Sequence, residues 1–298
     1  MNNLFLYFKE EEKMGLRTIL IGDTETCISE LQEVFTHGGK FHADEVCTVA
    51  LLQFFGFKGE VNRVFKISDE LKESGALIFD IGNTEFDHHD KDNLEFYDDG
   101  CPMSAFGKVA RAIRVDNRTI EDLFPGFTDE IAKPIEAYDN GYSSDKIRQS
   151  YFAVICNAYV PTWEEDLSMD IAFRDAVEMC YGILQRQLIH LRSKAVAAVE
   201  VQKAEVIGGV KIFDKYLPWV DYVDETIKGA IFPSARGGWN LQVAPDKSKP
   251  GVLANKAILE FTEEQVALCS FIHPAKFICA TNTKEDAISL IPGVKVIS

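Results

Sequence analysis

The chain has 298 residues, of which 46% are hydrophobic and 26% are charged, and its formal net charge is −16. That length favours two domains, and the strong negative charge argues against a protein that wraps long nucleic acids. The sequence contains no run of about 18 apolar residues, so it predicts no membrane-spanning helix. The first residues do not resemble a secretory signal. The seven cysteines form no C-x-x-C pair, which argues against a disulfide framework or a thiolate zinc site. We therefore expect a cytoplasmic protein with no membrane partner.

The first third of the chain alternates between strand and helix patterns. Short runs rich in β-branched and apolar residues predict strands, and apolar residues at helical spacing predict helices. The predicted elements are strands at 16–21 and 33–36, a helix at 44–55, a strand at 61–67, a short helix at 69–73 and a buried strand at 76–81. This alternation is typical of a parallel sheet with helices on both faces.

The rest of the chain changes character after one long helical stretch. Helices are predicted at 104–114, at 128–138 and, without any proline, at 170–203. Strands follow at 204–214, 229–231, 239–243 and 271–278, with a hairpin turn at 234–239. We predict a metal-binding domain over 1–166, a connecting helix over 167–204 and a smaller α+β domain over 205–298.

Acidic residues and histidines are concentrated between His37 and His89, a span that holds four of the six histidines. They form three groups: one from His37 to Glu45, one at Asp80 after an apolar run, and one at Asp87-His88-His89. Ligands of parallel sheets bind outside the carboxyl ends of the strands, where these groups should converge. Imidazoles mixed with carboxylates suit Mn²⁺, Zn²⁺ or Fe²⁺, and two ions can share a bridging aspartate. The pattern therefore predicts a metal-dependent hydrolase.

Each group also has an interpretation that needs no metal. Asp44 and Glu45 can cap a helix N-terminus and interact with its dipole. Asp80 can form a turn after a strand, and Asp139 can simply end a helix. The joint occurrence of these groups favours the metal site, although no single group decides between the two interpretations.

The order of these groups resembles that of the DHH phosphoesterase superfamily. That order is His-x-x-x-x-His-x-Asp, a strand-terminal Asp, Asp-His-His and a later Asp. Within the superfamily, residues 36–45 and 137–141 resemble the melanocyte-proliferating-gene family, whose members are metal-dependent hydrolases or 3′–5′ RNA exonucleases. The similarity extends from about Glu33 to the C-terminus and includes residues 237–243 and 271–273. It implies a DHH-type catalytic domain, a connecting helix and a smaller C-terminal domain.

The resemblance implies a site for two divalent ions, with Mn²⁺ favoured over Mg²⁺, Zn²⁺ or Fe²⁺. One ion would be held by His37 and His42, the other by Asp44, His88 and Asp139, with Asp80 bridging the two. Catalytic roles would fall to Asp87, which would orient His88, and to His89, which would contact the phosphate or the leaving oxygen. Adjacent residues of an extended segment point to opposite sides, so we expect His88 and His89 to diverge.

The C-terminal part departs from the family at Cys279-Ala280-Thr281-Asn282, where relatives have a turn of the Gly-Gly-His type. The substrate-binding residues predicted here are Arg236, Gly237, Gly238, Lys276 and Lys284. A separate basic series at Lys108, Arg111, Arg114 and Arg118 could contact nucleic acid, but a solvated helix face is the favoured interpretation.

The leading function is a 3′–5′ exonuclease or phosphodiesterase that acts on short single-stranded oligonucleotides, with RNA favoured. A pyrophosphatase-like phosphoanhydride hydrolase is the second candidate, although the small domain has few cations to bind a naked pyrophosphate. The altered segment at Cys279 keeps open a third candidate, a metal-binding regulatory protein without turnover. The expected partner is a short oligonucleotide or a small phosphorylated substrate, and the sequence leaves a homodimer open.

Overall fold

The computed structural model describes residues 15–145, 147–246 and 255–297. The chain divides into two compact units, one up to Arg192 and one from Ser193 onward. The predicted mixed α/β fold with a parallel sheet is confirmed. The predicted domain boundaries at 166 and 204 stay a prediction.

The first unit contains two three-stranded sheets and most of the helices. Its strands are β1 (Arg17–Ile21), β2 (Thr24–Cys27), β3 (Glu33–His37), β4 (Glu60–Val64), β5 (Leu77–Ile78) and β6 (Ile113–Val115). Its helices are α1 (Ala43–Phe54), α2 (Asp69–Glu73), α3 (Ala105–Ala112), α4 (Ile120–Leu123), α5 (Lys133–Asp139) and α6 (Tyr151–Tyr159). The long helix α7 spans Met169–Lys203.

The parallel sheet has the order β4-β3-β5, with β3 in the centre. Successive side chains of β3 point to opposite faces of the sheet, as in any β-strand. Val34 belongs to the large core that includes α1, whereas Phe35 packs in a smaller cluster with Leu71 of α2. Because all three strands run in the same direction, their carboxyl ends meet at one edge.

The strand at the start of the described chain is not part of that parallel sheet. Strand β1 pairs antiparallel with β2 and with β6 to form a sheet of its own. Strand β6 comprises Ile113–Val115, so the helix predicted at 104–114 ends early, at Ala112. The apolar side chain of Ile113 fits the helical pattern and is equally suited to a strand, which is why the sequence could not separate the two.

The second unit is rich in strands. These are β7 (Val206–Ile207), β8 (Val210–Ile212), β9 (Gly229–Pro233), β10 (Trp239–Val243), β11 (Ala257–Leu259), β12 (Cys269–Ile272), β13 (Ile278–Thr281) and β14 (Val294–Val296). The short helices are α8 (Glu263–Val266) and α9 (Lys284–Ser289). Six strands form one sheet in the order β12-β13-β10-β9-β8-β7, and β11 pairs with β14.

Two segments of this unit that were predicted as single strands are hairpins. The segment 204–214 turns at Gly208 and Gly209 between β7 and β8. The segment 271–278 turns between β12 and β13, where Lys276 adopts a positive φ of 53°. Among the described residues, no helix is both long enough and apolar enough to cross a membrane.

Candidate metal centre

Acidic and imidazole side chains converge at the carboxyl edge of the parallel sheet. Strand β3 ends at His37, and β5 is followed by Phe79 and Asp80. The first turn of α1 brings Asp44 and Glu45 to the same place. This edge is where ligands of parallel α/β sheets bind.

Asp80 lies at the middle of the cluster, between two histidines. Its Oδ2 atom is 3.1 Å from His37 Nε2, and its Oδ1 atom is 3.0 Å from His88 Nε2. The residue is almost fully buried and has a positive φ of 60°. The two carboxylate oxygens therefore face different sides of the cluster, a geometry suited to a carboxylate that bridges two cations.

The structure brings all six predicted metal ligands together, along with His89 and one residue that was not predicted. Among the residues that the structure describes, four sets of three side chains each offer ligand atoms within 4.8 Å of one another. These sets are His37, His42 and Glu45; Asp44, Glu45 and Asp80; Asp80, His88 and His89; and His42, Asp44 and Asp139. The roles of the predicted residues as ligands stay a prediction.

Asp44 is the clearest sign that this cluster suits a cation. Its side chain is fully buried, and neither carboxylate oxygen accepts a hydrogen bond from any described residue. The nearest imidazole nitrogen, His88 Nε2, is 3.5 Å from Asp44 Oδ2. A buried carboxylate that accepts no hydrogen bond is costly, and a divalent cation bound to it would offset that cost. The mixed carboxylate and imidazole donors fit Mn²⁺, Zn²⁺ or Fe²⁺.

The crowding of carboxylates shifts several pKa values. Burial raises the pKa of Asp139, and the nearby charge of Asp44 raises it further, to about 8. Burial lowers the pKa of His88, but its contacts with Asp44 and Asp80 outweigh this effect and raise the pKa to about 11. With raised pKa values, Asp139 and His88 retain protons that reduce the negative charge of the cluster. Bound cations would neutralise the same carboxylates in place of those protons.

Glu45 is a member of the cluster that the sequence did not predict as a metal ligand. Both of its carboxylate oxygens accept a hydrogen bond from the backbone N–H of His42 at 2.9 Å, as expected of a helix cap. Its Oε1 atom also lies 3.0 Å from His37 Nε2. The capping interpretation of Glu45 was therefore right about the backbone contact, but it hid the second contact with the cluster.

Asn140 was missed as well, although it directly follows the predicted ligand Asp139. Its Oδ1 atom lies 3.3 Å from His88 Nδ1, on the side of the ring away from Asp80. The opposite nitrogen, His88 Nε2, is 3.3 Å from Asp139 Oδ2. Contact with Asn140 orients the imidazole so that Nε2 faces the carboxylates, which is how supporting residues commonly fix a ligating histidine.

The expected arrangement of Asp87, His88 and His89 is partly wrong. The two imidazole rings do not diverge, because their centroids are 4.5 Å apart and both rings lie near Asp80. Asp87 contacts His89 rather than His88, with 2.7 Å between Asp87 Oδ1 and His89 Nδ1. The bend at this segment is not that of a regular strand, so the alternation rule did not apply. Burial raises the pKa of Asp87, but the contacts with His89 and Asn83 outweigh it and lower the pKa to about 2.

Lys108 supports the segment that carries these histidines, and the expectation that it lies on a solvated face is wrong. Its side chain is buried, and its ammonium donates hydrogen bonds to the carbonyl oxygens of Asp87 at 2.9 Å and Asn93 at 2.6 Å. Arg111, one turn later on α3, is exposed and pairs with Glu95 at 2.7 Å. The basic series therefore contains one structural cation and does not form a uniform face.

The predicted substrate-binding residues all lie in the second unit. Arg236, Gly237 and Gly238 form the turn between β9 and β10, where the N–H of Ser234 donates to Gly238 O at 2.9 Å. Lys284 lies near this turn, with its ammonium 5.3 Å from the ring of Trp239.

Lys276 is separated from the other four predicted substrate-binding residues. Trp239 pairs with Thr281 at one end of the β10–β13 pair, whereas Lys276 precedes the opposite end. The segment beginning at Cys279 is also not a turn, since Ile278–Thr281 is a strand between β10 and β12. Alternating burial along that strand explains the buried Cys279 side chain.

Comparison with known proteins gives the chain a family. The model of the MYG1_exonuc family, described as "Uncharacterised protein family (UPF0160)", matches residues 33–228. The chain belongs to this family. The predicted resemblance to the melanocyte-proliferating-gene family is thereby confirmed, while the wider DHH placement stays a prediction. The family's name suggests a nuclease or phosphoesterase.

Curated relatives carry the same family name. A MYG1 protein of Saccharomyces cerevisiae is 22% identical, over 87% of this chain and 94% of its own length. A MYG1 protein of Schizosaccharomyces pombe is 21% identical, over 88% of this chain and 97% of its own. A MYG1 protein of Chlamydia pneumoniae is 26% identical, over 63% of this chain and 65% of its own length. No solved structure matches the chain.

Proposed function

We propose that the chain is a metal-dependent phosphoesterase that removes nucleotides from the 3′ end of short single-stranded oligonucleotides, with RNA favoured. The observation that carries this proposal is the position of Asp80, whose two oxygens face His37 and His88 from the middle of a buried acidic cluster. The family name supports a nuclease. The net charge of −16 favours a short substrate over a long one.

The proposed centre holds two divalent ions, Mn²⁺ foremost. His37 and His42 would hold one ion, Asp44, His88 and Asp139 would hold the other, and Asp80 would be shared by both. Glu45, which contacts His37, is added to the first group. When bound, the ions activate a water molecule and stabilise the charge that develops on the phosphate oxygens.

The chain's own contribution to proton transfer is assigned to His89. The side chain of His89 is 59% exposed, so a substrate can reach it, and its Nδ1 atom is held by Asp87. Contact with Asp87 raises the pKa of His89; with Nδ1–H of the protonated ring directed at that carboxylate, Nε2–H remains to donate a hydrogen bond to the leaving oxygen or to a phosphate oxygen. Asp87 positions the ring, and Asp80, 3.6 Å from His89 Nδ1, keeps it at the centre.

The proposal is tested by incubating the purified chain and Mn²⁺ with four substrates. These are a 5′-labelled RNA of about five nucleotides, the matching DNA, the same RNA with a blocked 3′ end, and inorganic pyrophosphate. We expect stepwise shortening of the RNA, slower shortening of the DNA and protection by the 3′ block. Hydrolysis of pyrophosphate alone would replace the proposal with the phosphoanhydride alternative, and Mn²⁺ binding without any hydrolysis would favour the regulatory one.

A further inference from the structure

An exposed aromatic ring lies beside the candidate metal centre and has no part in the proposed chemistry. Phe65 directly follows β4, an edge strand of the parallel sheet, and 86% of its surface is exposed. In the sheet order β4-β3-β5, its strand is the direct neighbour of the one that ends at His37. The ring is therefore at the same carboxyl edge as His37 and Asp80.

Contacts with the turn after β3 fix the location of this ring. The backbone N–H of Gly38 donates to Val64 O at 2.7 Å, so the two strand ends are joined just before Phe65. A methyl group built on Gly38 would lie 3.2 Å from Phe65 Cζ, and one built on Gly39 would lie 3.4 Å from Cε1. The far end of the ring thus rests on the turn that follows His37, while the rest of its surface faces solvent.

Two lysines stand next to these residues in the chain. Lys40 continues the glycine turn and Lys66 follows the aromatic residue, and both are exposed. Neither forms an ion pair with a residue that the structure describes, although much of the rest of the cluster is acidic. An exposed aromatic ring with exposed cations next to it or to its supporting turn in the chain suits a planar ring that is attached to a phosphate.

We propose that Phe65 is a stacking platform for the nucleobase of the nucleotide bound at the metal centre, with Lys40 and Lys66 beside its phosphates. This inference rests on the proposed phosphoesterase function and narrows its substrate class to nucleotides that carry a base. An aromatic surface accepts every base, since each has a π-face, so the platform favours bases without selecting a sequence. A phosphoanhydride without a ring, such as pyrophosphate, could not stack on Phe65.

The test compares a five-nucleotide oligoadenylate with an abasic oligomer of the same length and charge. Phe65→Ala should raise KM for the oligoadenylate about tenfold, the order expected for the loss of one base–aromatic stack. It should leave kcat and the hydrolysis of the abasic oligomer nearly unchanged. Phe65→Trp should restore the low KM. Trp163→Ala is the matched control, because that ring is 92% exposed but lies between α6 and α7.

Binding provides a second readout that does not need turnover. In the presence of Mn²⁺, adenosine 5′-monophosphate should bind the unmodified chain more tightly than ribose 5-phosphate, and Phe65→Ala should abolish that difference. Equal KM changes for the two oligomers, or none, would overturn the platform even if hydrolysis is robust. A chain that hydrolyses neither oligomer would contradict the proposed function. The binding of the two monophosphates, measured by titration calorimetry, would then decide by itself whether Phe65 stacks on the base.

Discussion

The backbone at Asp80 is held in a conformation that is costly for a residue other than glycine. Its φ of 60° lies in the left-handed region, which costs about 1–2 kcal/mol. Two backbone hydrogen bonds hold it there, from Phe79 N–H to Phe35 O and from Asp80 N–H to Phe86 O. Strain of this kind persists only where the surrounding structure compensates for it, and it is concentrated at functional sites. The sharp bend turns the Asp80 carboxylate toward the helix and the histidines.

The adjacent histidines should differ in what their removal does. His88 is buried, with Nε2 near three carboxylates, whereas His89 is exposed and held by Asp87. His88→Ala should lower the Mn²⁺ content of the purified chain. His89→Ala should retain the metal and lower kcat about 10²–10³-fold, as the loss of one donor to a developing charge does. Metal analysis beside turnover checks both variants, and loss of metal from His89→Ala alone would reverse the two roles.

Removal of the Lys108 ammonium should destabilise the first unit. Lys108→Met removes the buried ammonium from the carbonyl oxygen of Asn93 and from that of Asp87, which still accepts from Asn93 Nδ2. We expect this to cost about 1–3 kcal/mol. Arg111→Met is the control, because it removes an exposed cation from the same helix, one that forms its ion pair with the exposed Glu95. Such a surface pair contributes about 0–1 kcal/mol. Urea unfolding curves of the two variants measure the difference, and equal midpoints would show that Lys108 is not a structural cation.

At the level of elements, the sequence predicted the parallel sheet and the placement of the site residues at its edge. Apolar residues at helical spacing were enough to predict α1, a composition of helix formers without proline was enough for α7, and short β-branched or apolar runs were enough for the strand positions of the sheet. These patterns could not assign strand partners, so β1 was not recognised as part of a separate antiparallel sheet. They also could not reveal Glu45, Asn140 or Lys108, whose contacts depend on residues far apart in the chain or on backbone atoms. Contacts of that kind leave no periodic signal.

The turn between β9 and β10 offers a test of packing at the element scale. Gly237 and Gly238 both have positive φ, at 92° and 72°, so alanine is strained at either position. A Cβ at Gly238 would also lie 2.1 Å from Thr281 O of the neighbouring strand, while one at Gly237 meets nothing within 4 Å. Gly237→Ala should therefore cost about 1–2 kcal/mol, and Gly238→Ala should cost clearly more. Thermal unfolding of the two variants compares their losses of stability. A smaller loss for Gly238→Ala than for Gly237→Ala would contradict the close approach of Thr281 O to Gly238.

On the scale of the whole molecule, the acidic cluster links stability to metal and to pH. In the metal-free chain the pKa of Asp139 is about 8, well above its unfolded value, so this group costs stability as pH rises toward 8. Mn²⁺ binding requires the deprotonated carboxylate and relieves the repulsion. The rise in Tm caused by Mn²⁺ over a chelator control should therefore be larger at pH 8.5 than at pH 6.5. At a hundredfold excess over Kd, each occupied site stabilises the folded chain by about 2.7 kcal/mol. A larger rise at the lower pH would contradict this linkage.

The central claim is that one buried aspartate serves two cations, and counting the bound ions tests it most directly. Equilibrium dialysis with Mn²⁺ should be run on the unmodified chain, on Asp80→Ala and on the control Asp92→Ala, whose exposed carboxylate lies in the same segment. We predict two ions per chain for the unmodified protein and for Asp92→Ala, and loss of both from Asp80→Ala together with turnover. Two ions retained by Asp80→Ala, or fewer than two in the unmodified chain, would contradict the account.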